Sequence, residues 1–216
     1  ATAASGGAPR VRGAAFGVPG ARPARDQGPL RRWRREGAAL WDASAAAMTD
    51  RPGPPPAAPP AEALGRLLAF LADRELRDAV VARTITGGRR PTAAYLDTGA
   101  VIAAFDAARR RDPEAFAAAF ALGTAVAQAA PDGAGAPALG LLAFLAWWSS
   151  DGARADVLAH QALVEEPGHH LAALVVRALD AAAPPPWYEP QHRSPASARA
   201  ERASGNVAGH QTDGGP

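Results

Sequence analysis

Proline and glycine cut this chain of 216 residues into short segments, and each segment with large apolar side chains repeats them at helical spacing. Proline lacks an amide hydrogen and clashes with the preceding turn, so it closes helices and stays out of central strands. Arg51 to Pro60 (RPGPPPAAPP) therefore reads as a linker. Thr86 to Pro91 (TGGRRP) and Pro131 to Pro137 (PDGAGAP) read as turns, and Pro184-Pro185-Pro186 ends the last periodic stretch. β-Branched residues are few and nowhere alternate over a useful length, so no strand is expected.

Between these breaks the periodicity predicts an all-α protein. Leu30 to Ala47 carries Trp33, Leu40 and Trp41 at helical intervals. Ala61 to Ala72 places Leu64, Leu67, Leu68 and Leu71 on one face, and Asp73 to Thr84 continues as a second or bent helix through Leu76, Val80 and Val81. A further helix is predicted over Thr92–Arg111. Asp112-Pro113-Glu114 then starts another, with Asp at the cap, Pro in the first position and an acid suited to the helix dipole. It runs to about Ala130, and three more follow over about 138–149, 153–165 and 169–183.

Composition divides the chain further. Residues 1–29 and 184–216 hold too little apolar bulk to offset the entropy of ordering them. The expected organisation is a disordered basic arm over 1–29, an isolated or docked helix over 30–47, a linker over 48–60, a helical domain over 61–183 and a disordered tail over 184–216. Residues 1–60 hold nine arginines against four acids, whereas 61–183 hold eleven against fourteen. The basic character belongs to the amino-terminal region, which argues against a dedicated nucleic-acid surface on the body. Every cation is Arg, with no Lys, a bias in keeping with GC-rich coding.

There is no cysteine, which excludes disulfides, thiolate metal ligands and thiol nucleophiles. The longest apolar run, Ala138 to Trp148, falls short of the roughly 20 residues that span a bilayer. No signal-peptide pattern opens the chain. The expected location is the cytoplasm. The first residue is Ala, so a fragment of a longer protein is also expected.

Leu139 to Pro167 resembles a tetratricopeptide repeat, which sets large and small residues in a fixed order over about 34 positions. The matching residues are Leu139, Leu142, Ala143, Ala146, Ala155, Ala159, Ala162 and Pro167. Small residues let two antiparallel helices approach closely, and the proline stops the second. Phe105, Ala108 and Pro113 echo the pattern, but Pro113 and Pro167 lie 54 residues apart, so no regular array is expected. The fold class is irregular antiparallel helical hairpins, a tetratricopeptide-like bundle. Leu141 to Trp187 and Leu64 to Arg83, with its Arg77-Asp78-Ala79, also resemble an actinobacterial family of uncharacterised proteins, a domain-of-unknown-function family. That resemblance covers about 30–187. It implies a further amino-terminal α/β half in many members and no assigned activity.

Candidate chemistry is sparse. His169 and His170 follow Glu165 and Glu166, with His160 nearby, but adjacent helical side chains point about 100° apart and rarely share one ion. Arg109-Arg110-Arg111 sits where cations suit a helix C-terminus. Gly133 and Gly135 follow a helix and lack the Lys-Ser/Thr of a phosphate loop. Asp73, Glu75 and Asp78 read as a helix junction, and Ser149 and Ser150 lack nucleophile context. No catalytic, cofactor or metal residue is expected. Trp147 and Trp148 are the candidate partner-binding pair, because neighbours on a helix cannot both face one core and Trp is enriched at interfaces. The first reading is a non-catalytic helical module that binds a protein or another domain of its own chain. The second is nucleic-acid association through Arg31, Arg32, Arg34 and Arg35 around Trp33. The third is the helical accessory part of an enzyme whose catalytic domain lies elsewhere.

Overall fold

The computed structural model describes residues 27–49, 59–107 and 112–188. Most of the expected arm, linker and tail, and the Arg109–Arg111 run, lie outside the described residues. Among the described residues the fold is all-helical, as the periodicity predicts, and has no strand. The helices are α1 (Gln27–Ala47), α2 (Ala61–Ala72), α3 (Arg74–Ile85), α4 (Thr98–Ala107), α5 (Pro113–Gln128), α6 (Ala136–Trp148), α7 (Gly152–Glu165) and α8 (His170–Asp180), with a 3-10 turn over Thr92–Tyr95 before α4.

Helix α6 is the centre of the bundle. Its residues are apolar all round, and Leu141, Leu142, Phe144, Leu145 and Trp148 are all buried. A helix with no polar face must be covered on every side, and α5, α7 and α8 cover it, with α2 and α3 beyond. The α6–α7 pair is antiparallel, since Gly135 before α6 lies against Glu165 at the end of α7. Ala143 and Ala146 on α6 and Ala155, Ala159 and Ala162 on α7 are each at most 2 % exposed, so both backbones approach through methyl-sized side chains.

Two helix ends share a device that keeps these hairpins tight. After α6, the Ser150 amide donates to the Trp147 carbonyl and the Asp151 amide to Ala146. After α8, the Ala182 amide donates to Leu179 and the Ala183 amide to Ala178. This is the Schellman pattern, which needs one left-handed residue. Here the residues are Ser150 (φ 62°) and Ala182 (φ 47°), neither of them glycine. Asp151 then caps α7, its carboxylate accepting from the Arg154 amide.

Helix α1 is docked on the body. Trp41 is 1 % exposed, and Ala38 and Ala45 are buried with it. Arg34 bonds Asp73 at 2.8 Å and also pairs with Glu75. Asp42 accepts the Thr92 amide at 2.9 Å and its hydroxyl at 2.6 Å, and pairs with Arg83 at 2.8 Å. These contacts join α1 to α3 and to the turn before α4.

Three boundaries differ from expectation. The single helix expected over Thr92–Arg111 is a 3-10 turn followed by α4, because Thr92 is held by Asp42, the Tyr95 hydroxyl bonds Thr86, and the Asp97 carboxylate accepts the Ala100 amide to start a new helix. Helix α1 takes in residues 27–29 of the expected arm. The expected tail boundary at 184 moves outward: Pro185 is buried, and the Trp187 indole donates to the Trp148 carbonyl at 3.0 Å. By contrast, the start of α5 follows the local prediction, with the Asp112 carboxylate accepting the Glu114 and Ala115 amides and Pro113 in the first position.

Candidate ligand cleft

Helices α3, α4, α6 and α8 do not close completely on one another. They leave a cleft of about 380 Å³. Its walls are Val81 from α3, Val101 and Phe105 from α4, Phe144 and Trp147 from α6, and Leu171, Leu174, Val175 and Ala178 from α8. One part is polar, lined by Arg74, Arg77, Asp78 and His170. A concave, mostly apolar space with a few convergent polar groups, within the usual range of about 300–1,000 Å³, is the form small-molecule sites take.

The packing explains why the cleft stays open. Phe105 meets the rings of Phe144 and Trp148 edge-on, at 6.0 and 5.7 Å between centroids. That contact holds α4 against α6 through one large ring, while only Ala104 of α4 is fully buried and Ile102 is 57 % exposed. Helix α8 presents Leu171 and Val175 inward, whereas Leu174 remains 41 % exposed at the rim.

Two neighbouring tryptophans divide between core and surface. Trp148 is fully buried in the main core, so it is not accessible to a partner. Trp147, one residue earlier on α6, is only partly covered, and its indole donates to the Ala183 carbonyl at 3.1 Å. The Schellman turn after α8 supplies that carbonyl, so the ring is held in place while part of the side chain stays exposed. Trp147 separates the cleft from a shallower hollow of about 230 Å³ bordered by Leu179, Pro184, Pro185 and Tyr188.

At the polar end, Arg77 is 5 % exposed. Its guanidinium donates from Nη1 to Nε2 of His169 at 3.1 Å, across 92 residues of sequence. Nε of Arg77 is buried and has no hydrogen-bond partner among the described residues. His169 is 2 % exposed and is the capping residue of α8. Its Nδ1 lies 3.3 Å from the Ala172 amide. A neutral imidazole has one acceptor nitrogen, so a given tautomer accepts from either Arg77 at Nε2 or the Ala172 amide at Nδ1, not from both. Gly140 makes the site possible: a Cβ there would stand 2.1 Å from Cε1 of His169.

Burial sets the charge states here. It lowers the pKa of Arg77, against the pull of Asp78 and Glu166. It lowers that of His169 too, and the adjacent Arg77 cation adds to the effect, so the imidazole is neutral at neutral pH. Burial raises the pKa of Asp78, while Arg77 and Arg74 oppose the rise. Asp78 pairs with Arg74 at 3.6 Å.

A family model described as a domain of unknown function, DUF4192, matches residues 6–186. The chain belongs to the DUF4192 family. No curated protein matches it, and no solved structure does.

The structure of this DUF4192 chain scatters most of the other residues singled out in the sequence. Arg34 is committed to Asp73 and Glu75, while Arg31, Arg32 and Arg35 are exposed. Asp73 caps α3, accepting the Leu76 amide at 2.9 Å. His160 pairs with Asp156 one turn earlier on α7. His170 is exposed beside buried His169. Among the described residues no group of three or more His, Asp or Glu is placed to hold a metal ion. Gly133 turns with φ 75° in the loop before α6. Among the described residues no helix is long and apolar enough to cross a membrane. Sequence reasoning missed Arg77 and His169 as a pair. The one signal present was a charged residue one turn before Val80 and Val81, which are apolar.

Proposed function

We propose that this chain is a non-catalytic helical interaction module that docks an uncharged, apolar segment of a partner protein, or of another part of its own chain, beside Trp147. The observation that carries the reading is the partial exposure of Trp147, fixed by its bond to Ala183 and bordering a hollow that has no charged residue in its lining among the described residues. A rigid, partly buried aromatic ring next to a pocket is the usual anchor of a protein interface. Leu174 and Tyr188, 41 % and 38 % exposed, extend the apolar surface on either side. The close Ala-lined packing of α6 on α7 supports a tetratricopeptide-like reading of this part of the fold.

The test compares the full chain with Trp147→Ala and, as a control, Val164→Ala, which removes a side chain 83 % exposed on α7 and outside this hollow. Each is used to capture partners from native cell extract after circular dichroism shows it folded. The expected result is a partner retained by the parent and the control, lost with Trp147→Ala, and cross-linked at position 188. A partner retained equally by all three, or none captured by any, overturns the reading.

A further inference from the structure

The cleft on the other side of Trp147 has a chemistry of its own, independent of any protein partner. Its body is apolar, walled by Val101, Phe105, Phe144 and Leu174. Its polar end holds two arginines, one aspartate and His170. Asp78 is paired with Arg74, so that charge is answered within α3. Arg77 is not answered in the same way. It is 5 % exposed, its protein hydrogen bond goes to a histidine held neutral, and no carboxylate bonds it among the described residues. Asp78 and Glu166 attract Arg77 only through space, and a buried cation without a hydrogen-bonded anion is costly, because that attraction replaces its lost hydration only in part. The unpartnered Nε of the same guanidinium is a second sign of the deficit.

The geometry points to a binding site for a small monocarboxylic acid with an apolar body, straight-chain or aryl, whose carboxylate pairs with Arg77 and whose hydrocarbon fills the cleft between α4 and α8. An amine would meet repulsion from Arg74 and Arg77, which outnumber Asp78 at this end, and an alcohol would leave the guanidinium without a hydrogen-bonded anion. A dicarboxylate would bring its second charge into apolar walls. The volume of about 380 Å³ admits a chain of medium length and leaves no room for a folded protein element. Binding requires no bond to form or break. The acid exchanges its water shell for the arginine and the apolar walls. The guanidinium forms charge-assisted hydrogen bonds, which are the stronger kind and favour the carboxylate over a neutral head group.

Isothermal titration calorimetry of the full chain at neutral pH, with octanoate, 1-octanol and octylamine, tests the site. Octanoate is expected to bind about tenfold or more tighter than octanol, the factor that one added charge-assisted hydrogen bond produces, and octylamine is expected to bind weakest. Arg77→Met removes the buried charge at similar volume, and the preference for octanoate over octanol is expected to vanish. Leu174→Trp fills the rim from a partly exposed position, so it keeps the fold and is expected to abolish binding of all three. Equal affinity for octanoate and octanol in the parent overturns the proposal. So does octanoate binding that survives Leu174→Trp, or a preference that survives in folded Arg77→Met. Should Arg77→Met fail to fold, the parent and Leu174→Trp titrations decide alone. Trp147→Ala tested for partner capture reports separately on the interaction surface, so either reading can fail without the other.

Discussion

Replacing Gly140 by alanine tests the packing at the polar end of the cleft, because the same substitution elsewhere in this protein should act with the opposite sign. In a helix interior alanine is favoured over glycine by about 0.8–1.0 kcal/mol. At Gly65, exposed on α2, an added Cβ would meet nothing within 4 Å among the described residues, so that gain is unopposed. Gly65→Ala should therefore stabilise the protein by about 0.5–1 kcal/mol. At Gly140 the new methyl would lie 2.1 Å from Cε1 and 2.7 Å from Nδ1 of His169. Carbon atoms rest at about 3.5–4.0 Å, so the ring or the start of α8 must retreat by more than an ångström. Overpacking of this kind costs about 1–3 kcal/mol. Moving the ring also breaks the Arg77 hydrogen bond, and a bond to a charged group contributes about 1.5–3 kcal/mol. Offsetting the helix gain leaves a net loss of about 1.5–5 kcal/mol, centred near 3. Urea unfolding of the parent and both variants, followed by circular dichroism, reads the two signs directly. A Gly140→Ala variant as stable as the parent would show that His169 does not sit against α6, and the assignment of Arg77 and the cleft would fall with it.

Four other outcomes are expected from the same packing. Acid should destabilise the fold at His169: burial and Arg77 depress its folded pKa below 6.5, so the unfolded chain takes up the proton first and stability falls as pH drops below about 6.5. Urea midpoints between pH 8 and 5 should therefore fall more steeply for the parent than for a folded His169→Asn variant; equal slopes would refute the shift. Trp148→Ala should cost about 3–5 kcal/mol, as truncation of a buried aromatic does, and Trp147→Ala distinctly less; chemical denaturation of each checks the order. Asp42→Ala should cost about 2–3 kcal/mol by leaving the Thr92 amide and its hydroxyl without their acceptor and Arg83 without its ion-pair partner, and it should speed proteolysis near α1. Ser150→Gly and Ala182→Gly should each raise stability by about 0.5–1 kcal/mol, since glycine adopts the left-handed turn without strain; thermal melts would show it.

Where a decision depended on a few neighbouring residues, the sequence was enough. The helical class followed from period and proline placement, because helices close their hydrogen bonds within the segment. The start of α5 followed from Asp112-Pro113-Glu114, because a cap is made by atoms two and three residues away. The unequal fates of Trp147 and Trp148 followed in kind, since two adjacent helical side chains diverge, but which one faces the core did not. That choice depends on where α4 and α8 lie around α6. The break before α4 was equally hidden: Asp97 is a local cap, yet the turn ahead of it is held by Asp42, 50 residues away. Arg34 read as a free basic residue until its partners on α3 were placed beside it. The cleft was least legible of all. Arg77, His169 and Gly140 come from three separate helices or their caps, and nothing local ties a guanidinium at one to an imidazole at another or forbids a methyl at the third. Local sterics and hydrogen bonding fix the elements of this protein. Only close packing among elements far apart in sequence decides which polar groups are buried, which are paired, and where space is left.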